Sequence, residues 1–434
     1  MYRLSNLSNL KQSIKSRGFA SVAANASKNG IKVVGVESQK ATELGSISVV
    51  LNLGSRFENA DQIGAAHYLK AFGFRNSKER TSFRKVREAE LQGAMLSSEL
   101  TRENVIYTVK CLKQDIPYFF QMMSEMTNRT LFNSWEFDEI NNLVALESGI
   151  AATNPITVLS EKLHHAIYRT GLGNSLYAGS SSSISGSEAV KNYMHSRFNA
   201  NNVAIIGRGI SSEQLAELVN NSEFAELSSG APQTAAKSKF HSGSEVHTSI
   251  NSEYSHYALA FEAPDAATAR LLSEYLGSAS THLKYSAGVS PLAQIAREFN
   301  SSSVSSFSQS YSDSSLVGIL VSAPSAQLHS VLSSVMKQVQ ALASSPVSAE
   351  SFSRAVACAR MQHLSNDIES SSGLNSFLAN GVFSSGTSAL GLVSQQLETA
   401  SLPSFQSAIK STFASKPVAA SVGNSMLTPY LDSI

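Results

Sequence analysis

The stretch Arg197-Phe198-Asn199-Ala200-Asn201-Asn202-Val203-Ala204 has a counterpart near the end of the chain, Thr412-Phe413-Ala414-Ser415-Lys416-Pro417-Val418-Ala419. Phe198 and Phe413 are separated by 215 positions (413 minus 198), and the same separation holds for Val203 with Val418 and for Phe137 with Phe352. A constant offset close to half of a 434-residue chain is the pattern that duplication of a domain leaves in a sequence. The sequence therefore predicts two copies of one fold.

Each half contains segments of strand and helix periodicity in the same order. Apolar residues that alternate with other residues, or form short apolar runs, predict strands at 31–36, 47–53, 105–109, 203–206, 257–261 and 316–320. Apolar residues at helical spacing predict helices at 61–74, 116–126, 135–150, 158–168, 266–276 and 328–342. Helices that pack on a mostly antiparallel sheet form an α+β domain, so we expect two such domains.

The two predicted domains are joined by a segment of different composition. Residues 222–244 are rich in Ser, Ala, Lys and Gly, which is typical of a linker. We therefore expect an N-terminal domain over 20–221 and a C-terminal domain over 245–434. The Ser-rich runs 180–187 and 301–306 are of low complexity and are predicted to be loops.

The composition excludes several classes of protein. Hydrophobic residues make up 42% of the chain and charged residues 15%, which supplies enough apolar material for folded cores and argues against wholesale disorder. The formal net charge of +1 gives no general attraction to nucleic acid or to an anionic membrane. Two cysteines, Cys111 and Cys358, are too few for a disulfide framework and fit no zinc spacing, which favours a reducing compartment. No apolar run reaches the roughly 18 residues that a membrane-spanning helix needs.

The first 19 residues have the composition of a targeting segment. The basic residues that precede the first acidic residue, Glu37, are Arg3, Lys11, Lys15, Arg17, Lys28 and Lys32. The sequence Arg17-Gly18-Phe19-Ala20-Ser21 resembles a mitochondrial presequence site with cleavage after Phe19, and no uninterrupted apolar region indicates a secretory signal. We expect residues 1–19 to be a removable presequence, whose loss of four basic residues would change the net charge from +1 to −3. The alternative is a basic terminus without a targeting role.

Two motifs in the first half resemble those of the pitrilysin and mitochondrial processing peptidase family. They are Gly54-Ser55-Arg56-Phe57-Glu58 and Gly64-Ala65-Ala66-His67-Tyr68-Leu69-Lys70-Ala71. The resemblance implies the pitrilysin / LuxS-like metallopeptidase fold for both domains. Active members carry His-x-x-Glu-His at the second motif. The two His share a helical face and bind Zn²⁺, the Glu activates the zinc-bound water, and a distant Glu completes the site.

This chain departs from that pattern at the residues that carry the chemistry. His67 matches the first ligand and Glu147 lies at about the spacing of the third, but Lys70 replaces the catalytic Glu and Ala71 replaces the second His. One imidazole and one carboxylate would hold zinc weakly, and an ammonium group repels the metal and does not accept a proton at neutral pH. The resemblance therefore implies that these four positions are vestigial, and that the chain has no catalytic residue, no metal site and no bound cofactor. We expect His67 to be a packed or hydrogen-bonded helix residue and Glu147 to be a solvated carboxylate.

Other signals of catalytic or binding chemistry are weaker. Gly171-Leu172-Gly173 lacks the Gly-Lys-Ser/Thr and the preceding strand of a phosphate-binding loop. The sequence contains no Gly-x-Ser-x-Gly elbow, no basic aromatic platform for nucleic acid, and no Cys cluster for an iron–sulfur centre or haem. His164 and His165 are adjacent, so their side chains point in different directions on a helix, and we expect both to be structural.

Inactive mitochondrial members of this family include the alpha subunit of the processing peptidase and the core proteins of respiratory complex III. The alpha subunit carries a glycine-rich loop early in its second domain, whereas the matching region 273–299 contains only Gly277 and Gly288. The stretches that look like complex III core proteins are Ser98 to Val109, Trp135-Glu136, Asn174 to Tyr177 and Ser308 to Ser314.

The resemblance implies a non-catalytic scaffold that is peripheral to the inner mitochondrial membrane on its matrix side. The implied partners are core protein 1 in a heterodimer, cytochrome b, cytochrome c1, the Rieske iron–sulfur protein and the small subunits of complex III, with no nucleic acid. The alternative is a non-catalytic, substrate-binding subunit of the processing peptidase.

Overall fold

The computed structural model describes residues 21–27, 29–37, 43–179, 182–277, 290–299, 301–384 and 389–434. The predicted presequence, residues 1–19, lies outside them. The described residues form two β-sheets, one from each half of the chain, with helices packed around them.

The first half contains strands and helices in alternation. Its strands are β1 (Ser21–Ala26), β2 (Lys32–Glu37), β3 (Leu44–Leu51), β4 (Met95–Leu100), β5 (Val105–Leu112) and β6 (Val203–Arg208). Its α-helices are α1 (Ala65–Ala71), α2 (Ser82–Leu91), α3 (Ile116–Asn128), α4 (Ser134–Thr153), α5 (Pro155–Tyr168), α6 (Ser187–His195) and α7 (Ser212–Asn220). The strands predicted at 47–53, 105–109 and 203–206 are confirmed.

The strands of the first half form one sheet in the order β1-β2-β6-β3-β5-β4. The pairing of β2 with β6 is parallel, and the other pairings are antiparallel. The two faces of the sheet alternate along β3, as the period of two requires. Ile47, Val49 and Leu51 pack into the core with α1, α3, α4, α6 and α7, whereas Val50 packs on the opposite face.

The second half repeats this plan. Its strands are β7 (Glu245–Ser249), β8 (Tyr254–Ala263), β9 (Ser303–Ser310), β10 (Ser315–Pro324) and β11 (Val418–Gly423). Its helices are α8 (Ala266–Leu276), α9 (Pro291–Glu298), α10 (Leu328–Ser344), α11 (Ala349–Gln362), a π-helical segment (His363–Glu369), α12 (Ser371–Ser384), α13 (Ala389–Thr399) and α14 (Leu402–Ala414). The sheet order β7-β11-β8-β10-β9 matches β2-β6-β3-β5-β4, and its one parallel pair, β11 with β7, occupies the same place. The predicted α+β class and the duplication are confirmed.

Two local predictions are wrong. The Ser-rich run 301–306 is not a loop, because β9 begins at Ser303 and pairs along its length with β10. Its serines are accommodated because the hydroxyl of Ser306 donates to the carbonyl of Ser273 at 2.6 Å. The equivalence of Val203 with Val418 is off by one residue, since Val203 packs into the first helical core whereas Val418 faces the other side of its sheet. In a strand, a slip of one residue moves a side chain to the opposite face.

Two helices are exchanged between the halves. Helix α5, from the first half, packs on the second sheet through a cluster that includes Leu163 and Val418. Helix α12, from the second half, packs on the first sheet through a cluster that includes Leu378 and Ile206. Each sheet is therefore covered on one face by helices of its own half and on the other by a helix of the other half.

No single helix of the described ranges is long and apolar enough to cross a membrane. Helices α4 and α5 reach the required length and hydropathy only as a pair, and that pair is bent by 93°. The apolar residues of α5 are used in the packing on the second sheet.

Candidate functional site

Helix α1, which carries His67 and Lys70, is shorter than the predicted helix at 61–74. Gly64 precedes it with a φ of 92°, a left-handed conformation that glycine adopts without strain. The Glu58 carboxylate accepts hydrogen bonds from the backbone amides of Gly64 (3.0 Å) and Ala66 (2.8 Å). A carboxylate at this end of a helix satisfies free N–H groups and complements the helix dipole. Burial nevertheless raises the pKa of Glu58 to about 7.

The side chains at positions 67, 70 and 147 meet between α1 and α4. His67 Nε2 lies 2.6 Å from Glu147 Oε2, and Lys70 Nζ lies 2.7 and 2.8 Å from the two oxygens of the same carboxylate. The spacing of three residues places His67 and Lys70 on one face of α1, from which both reach Glu147 on the neighbouring helix. The structure therefore brings together three of the four positions that the sequence singled out.

The hydrogen bonds of His67 define its tautomer. The backbone N–H of Ala178 donates to Nδ1 at 3.1 Å, so Nδ1 carries no proton and Nε2 donates to Glu147. Burial lowers the pKa of His67, which keeps the ring neutral although Glu147 acts in the opposite direction. For Glu147, burial would raise the pKa, but the hydrogen bonds from Lys70 and His67 outweigh it and hold the pKa below its usual range.

The expectation of a freely solvated Glu147 is wrong. Its side chain is 29% exposed and accepts hydrogen bonds from two neighbours, because α4 places it directly over α1. His67 is buried and hydrogen-bonded, as expected. Ala71, the fourth position, packs into the first core. Within the described ranges, no group of three or more His, Cys, Asp or Glu side chains is arranged to hold a metal ion.

A second polar cluster, the Arg56 cluster, joins the two halves. The guanidinium of Arg56 lies 2.6 Å from the Glu103 carboxylate and 2.6 Å from that of Asp313, which belongs to the turn between β9 and β10. Ser312 of the same turn donates its backbone N–H to Glu103 at 3.1 Å. The side chains of Arg56 and Glu103 are 3% and 6% exposed, so their charges depend on each other for compensation.

Helix α5 contacts the same turn through polar side chains. His164 Nε2 lies 2.7 Å from the Tyr311 hydroxyl, and the hydroxyls of Tyr168 and Ser314 are 2.8 Å apart. Burial, followed by the nearby charge of Arg102, lowers the pKa of His164 to about 3. The neighbouring His165 is exposed, so the two histidines do not share one site.

Reasoning from the sequence did not find the Arg56 cluster as a unit. Its members lie in three of the stretches that carry the family resemblance, 54–58, 98–109 and 308–314, and the structure brings these stretches together. A signal was therefore present, because each stretch contains charged or hydroxyl side chains, but their proximity depends on how the halves pack.

Two family models match the chain. The model described as insulinase (peptidase family M16) matches residues 33–180, and the model described as peptidase M16 inactive domain matches residues 186–357. Together they cover most of both sheets.

Curated relatives match the chain over nearly its whole length. Cytochrome b-c1 complex subunit 2, mitochondrial, of Cryptococcus neoformans is 31% identical over 423 residues, which are 95% of this chain and 94% of the relative. The subunits of the same name are 29% identical in Schizosaccharomyces pombe, with 93% of each chain covered, and 26% identical in Rattus norvegicus, with 94% and 90% covered. The chain belongs to peptidase family M16 and is a homologue of cytochrome b-c1 complex subunit 2.

Proposed function

We propose that the chain is a non-catalytic structural core subunit of ubiquinol–cytochrome c oxidoreductase, a scaffold on the matrix side of the inner mitochondrial membrane that assembly and stability of the complex require. The observation that carries this proposal is the pairing of the Lys70 ammonium with both oxygens of Glu147. In active members of the family, a catalytic base occupies the position of Lys70, and a metal ligand occupies the position of Glu147. Here the two groups neutralise each other, so neither is left to bind a cation or to activate water.

The remaining positions support a degenerate metallopeptidase site. His67 donates to Glu147 through one ring nitrogen and accepts from the Ala178 amide through the other, so both nitrogens are already engaged. Ala71 offers no ligand atom and packs into the core. We infer that positions 67, 70, 71 and 147 contribute packing and hydrogen bonds, and that the chain itself holds no metal and no redox cofactor.

The similarity to subunit 2 of the cytochrome b-c1 complex spans both halves, which supports assembly into that complex. The proposed partners are core protein 1, in a heterodimer, together with cytochrome b, cytochrome c1, the Rieske iron–sulfur protein and small subunits. Redox chemistry would then reside on those partners, and this chain would be peripheral to the membrane.

Co-purification tests the proposal. Mitochondria that contain an epitope-tagged chain are opened in mild detergent, and the tagged material is separated on a native gel. We expect the tag to migrate with cytochrome b and core protein 1. A tag found in a free pool would overturn the proposal, as would a tag that migrates with a catalytic processing-peptidase subunit and binds presequence peptides.

A zinc and cleavage assay tests the inactive site separately. The purified chain should contain much less than one zinc per chain and should not cleave a presequence peptide. The double variant Lys70→Glu/Ala71→His restores the family pattern, yet we expect it to remain inactive because position 71 lies in the packed core. Stoichiometric zinc in the natural chain, or cleavage by it, would contradict the assignment. Cleavage by the double variant alone would show that burial of position 71 does not prevent a histidine there from binding the metal.

A further inference from the structure

Helix α5 has a basic face opposite to the face that packs on the second sheet. Lys162 and His165 are three residues apart, so they lie on one side of the helix, and Arg169, directly after its last residue, lines the same groove; all three are exposed. Leu163, on the other side, is 1% exposed and packs on the second sheet. The packing of α5 therefore leaves a set of basic side chains on the surface of the first half.

These side chains line a groove of about 620 Å³ together with Glu58, Asn59, Ala60 and Ile63 from the loop before α1. Two carboxylates also line the groove, but both are engaged. Glu58 accepts from two backbone amides of α1, and Glu161 lies 2.6 Å from the Arg102 guanidinium.

The basic side chains of the groove are not neutralised in this way. The described residues provide Lys162, His165 and Arg169 with no ion pair, whereas the lining carboxylates are compensated by other groups. The groove therefore presents an excess of positive charge, although the net charge of the chain is only +1.

The segment 239–241 extends the basic surface beyond Arg169. The backbone N–H of His241 donates to the carbonyl of Ile167 at 2.9 Å, which holds this segment against α5. Partial desolvation, together with the neighbouring charges of Arg169 and Lys239, lowers the pKa of His241. That effect is a sign that the three groups are close enough to interact electrostatically. We refer to Lys162, His165, Arg169 and Lys239 as the basic groove.

The backbone at Arg169 provides an independent observation. Arg169 follows the last residue of α5 with a φ of 62°, which is unfavourable for a residue with a side chain. Such outliers cost of order 1–3 kcal/mol for a residue with a side chain. A glycine would adopt this conformation at a lower cost. Strained positions of this kind concentrate at functional sites, and this one carries the guanidinium at the end of the groove.

We propose that the basic groove binds an acidic segment of a partner polypeptide. Carboxylates of the segment would pair with Lys162, His165 and Arg169, and an exposed arginine is well suited to bind a carboxylate through two parallel hydrogen bonds. A polypeptide segment fits better than a membrane surface because the groove is concave.

Binding of labelled hexaglutamate to the purified full-length chain tests the proposal by fluorescence anisotropy. We expect saturable binding that weakens as ionic strength rises, because exposed charges are screened. The variant Lys162→Glu/Arg169→Glu should weaken binding at least tenfold. The matched control Lys337→Glu/Lys410→Glu changes the net charge equally at exposed positions of the second half, and it should stay within about twofold of the natural chain.

Three outcomes would overturn the proposal. The first is no saturable binding of hexaglutamate. The second is an equal loss in the groove variant and the control variant, which would indicate attraction by net charge. The third is tighter binding of phosphatidylglycerol vesicles or inorganic phosphate at the same positions, which would identify a lipid headgroup or a free anion as the ligand. None of these outcomes bears on assembly into complex III, so the two proposals are tested separately.

Discussion

Helices α5 and α12 occupy equivalent places in the two halves, and each covers the sheet of the other half. Their apolar contacts are nearly the same. Leu159, Leu163 and Ile167 of α5 are each separated by 215 positions (378 minus 163) from their counterparts Leu374, Leu378 and Val382 of α12, and all six are buried. A spacing of four residues places each set on one stripe of its helix. Duplication has therefore conserved the apolar stripe by which the two helices dock.

The polar contacts of the two helices differ. Helix α5 carries His164 and Tyr168, which bond to the turn between β9 and β10, next to the Arg56 cluster. At the position equivalent to His164, helix α12 has Ala379, and its polar contacts to the first sheet include a 2.7 Å bond from the Lys32 ammonium to the Val382 carbonyl and a 3.3 Å bond from Asn375 to Thr108. The α5 contacts are thus made by aromatic and imidazole side chains of the helix itself, whereas the short α12 contact is made by a lysine of the sheet with the helix backbone.

The way the chain enters each helix also differs. Between α4 and α5 it turns sharply at Asn154, where the pair is bent by 93°. Before α12 it passes through the π-helical segment 363–369, in which Asp367 is bonded by His363 at 2.8 Å and by Arg270. The comparison shows that two copies of one fold can keep the same apolar docking while the local structure that directs it diverges. It also shows that neither half covers its own sheet alone.

Removal of the Arg56 charge, which joins the two halves on the α5 side, should have the largest effect on the free energy of unfolding. Arg56→Ala should lower the free energy of unfolding by about 3–5 kcal/mol, because it leaves Glu103 buried without a compensating charge. Urea unfolding followed by circular dichroism measures the change. Arg87→Ala is the control, since Arg87 and Glu90 form an exposed pair whose loss should cost about 0.5 kcal/mol or less. A change below about 1 kcal/mol for Arg56→Ala would contradict the role of the Arg56 cluster in joining the halves.

Truncation of the matched leucines of the exchanged helices should have the next largest effect. Leu163→Ala and Leu378→Ala should each cost about 2–5 kcal/mol, because both side chains are almost fully buried. Because the helices are exchanged, hydrogen exchange should increase in the opposite half. The α5 variant should expose amides of β11, and the α12 variant should expose amides of β2 and β6. If each variant instead loosened only the sheet of its own half, reciprocal docking would be refuted.

Acid should weaken the α5 side more than the α12 side. The pKa of His164 is lowered to about 3, from 6.5, so the unfolded chain binds a proton in this interval that the folded chain does not. The stability contributed by neutral His164 is therefore complete above pH 6.5 and falls as the pH drops from 6.5 towards 3. The slope is at most about 1.4 kcal/mol per pH unit, so the loss of folding free energy at pH 5 is at most roughly 2 kcal/mol.

Two histidine variants separate this effect from general acid denaturation. His164→Gln should show a smaller loss of stability between pH 7.5 and pH 5 than the natural chain, measured as the shift of the urea midpoint. His165→Gln changes the exposed neighbour and should retain the full pH dependence. Equal pH dependence in the two variants would assign the acid sensitivity to other groups.

The sequence predicted those features that depend on local periodicity. The alternation of Ile47, Val49 and Leu51 identified β3, and the apolar stripe of residues 158–168 identified α5. The constant offset of 215 positions (413 minus 198) identified the duplication. These features are readable because a strand and a helix impose their periods on the side chains that they bury.

The features that were missed depend on contacts between distant residues. The apolar stripe of α5 has the same form whichever sheet it packs on, so its exchange with α12 is not visible in the periodicity. Glu147 was expected to be solvated because its partner on α1, Lys70, is 77 positions away from it in the sequence. The strand β9 was missed because its serine-rich start has the low complexity of a loop, whereas in the structure the carbonyl of Ser273 accepts a hydrogen bond from the Ser306 hydroxyl.

The smallest predicted effect concerns the turn into α5. The Asn154 side chain accepts hydrogen bonds from the backbone amides of Ile156 (3.0 Å) and Thr157 (3.5 Å), and Pro155 occupies the first turn, where it needs no donor. Asn154→Ala should cost about 0.5–2 kcal/mol in urea unfolding, and Asn154→Asp should restore most of the loss because aspartate caps equally well. On the α12 side, the Ser370 hydroxyl accepts a bond from the backbone amide of Gly373 at 3.3 Å, and Ser370→Ala should cost less because the preceding π-helical segment already directs the chain. A larger cost for Ser370→Ala than for Asn154→Ala would mean that the start of α12, and not the start of α5, depends on its capping residue.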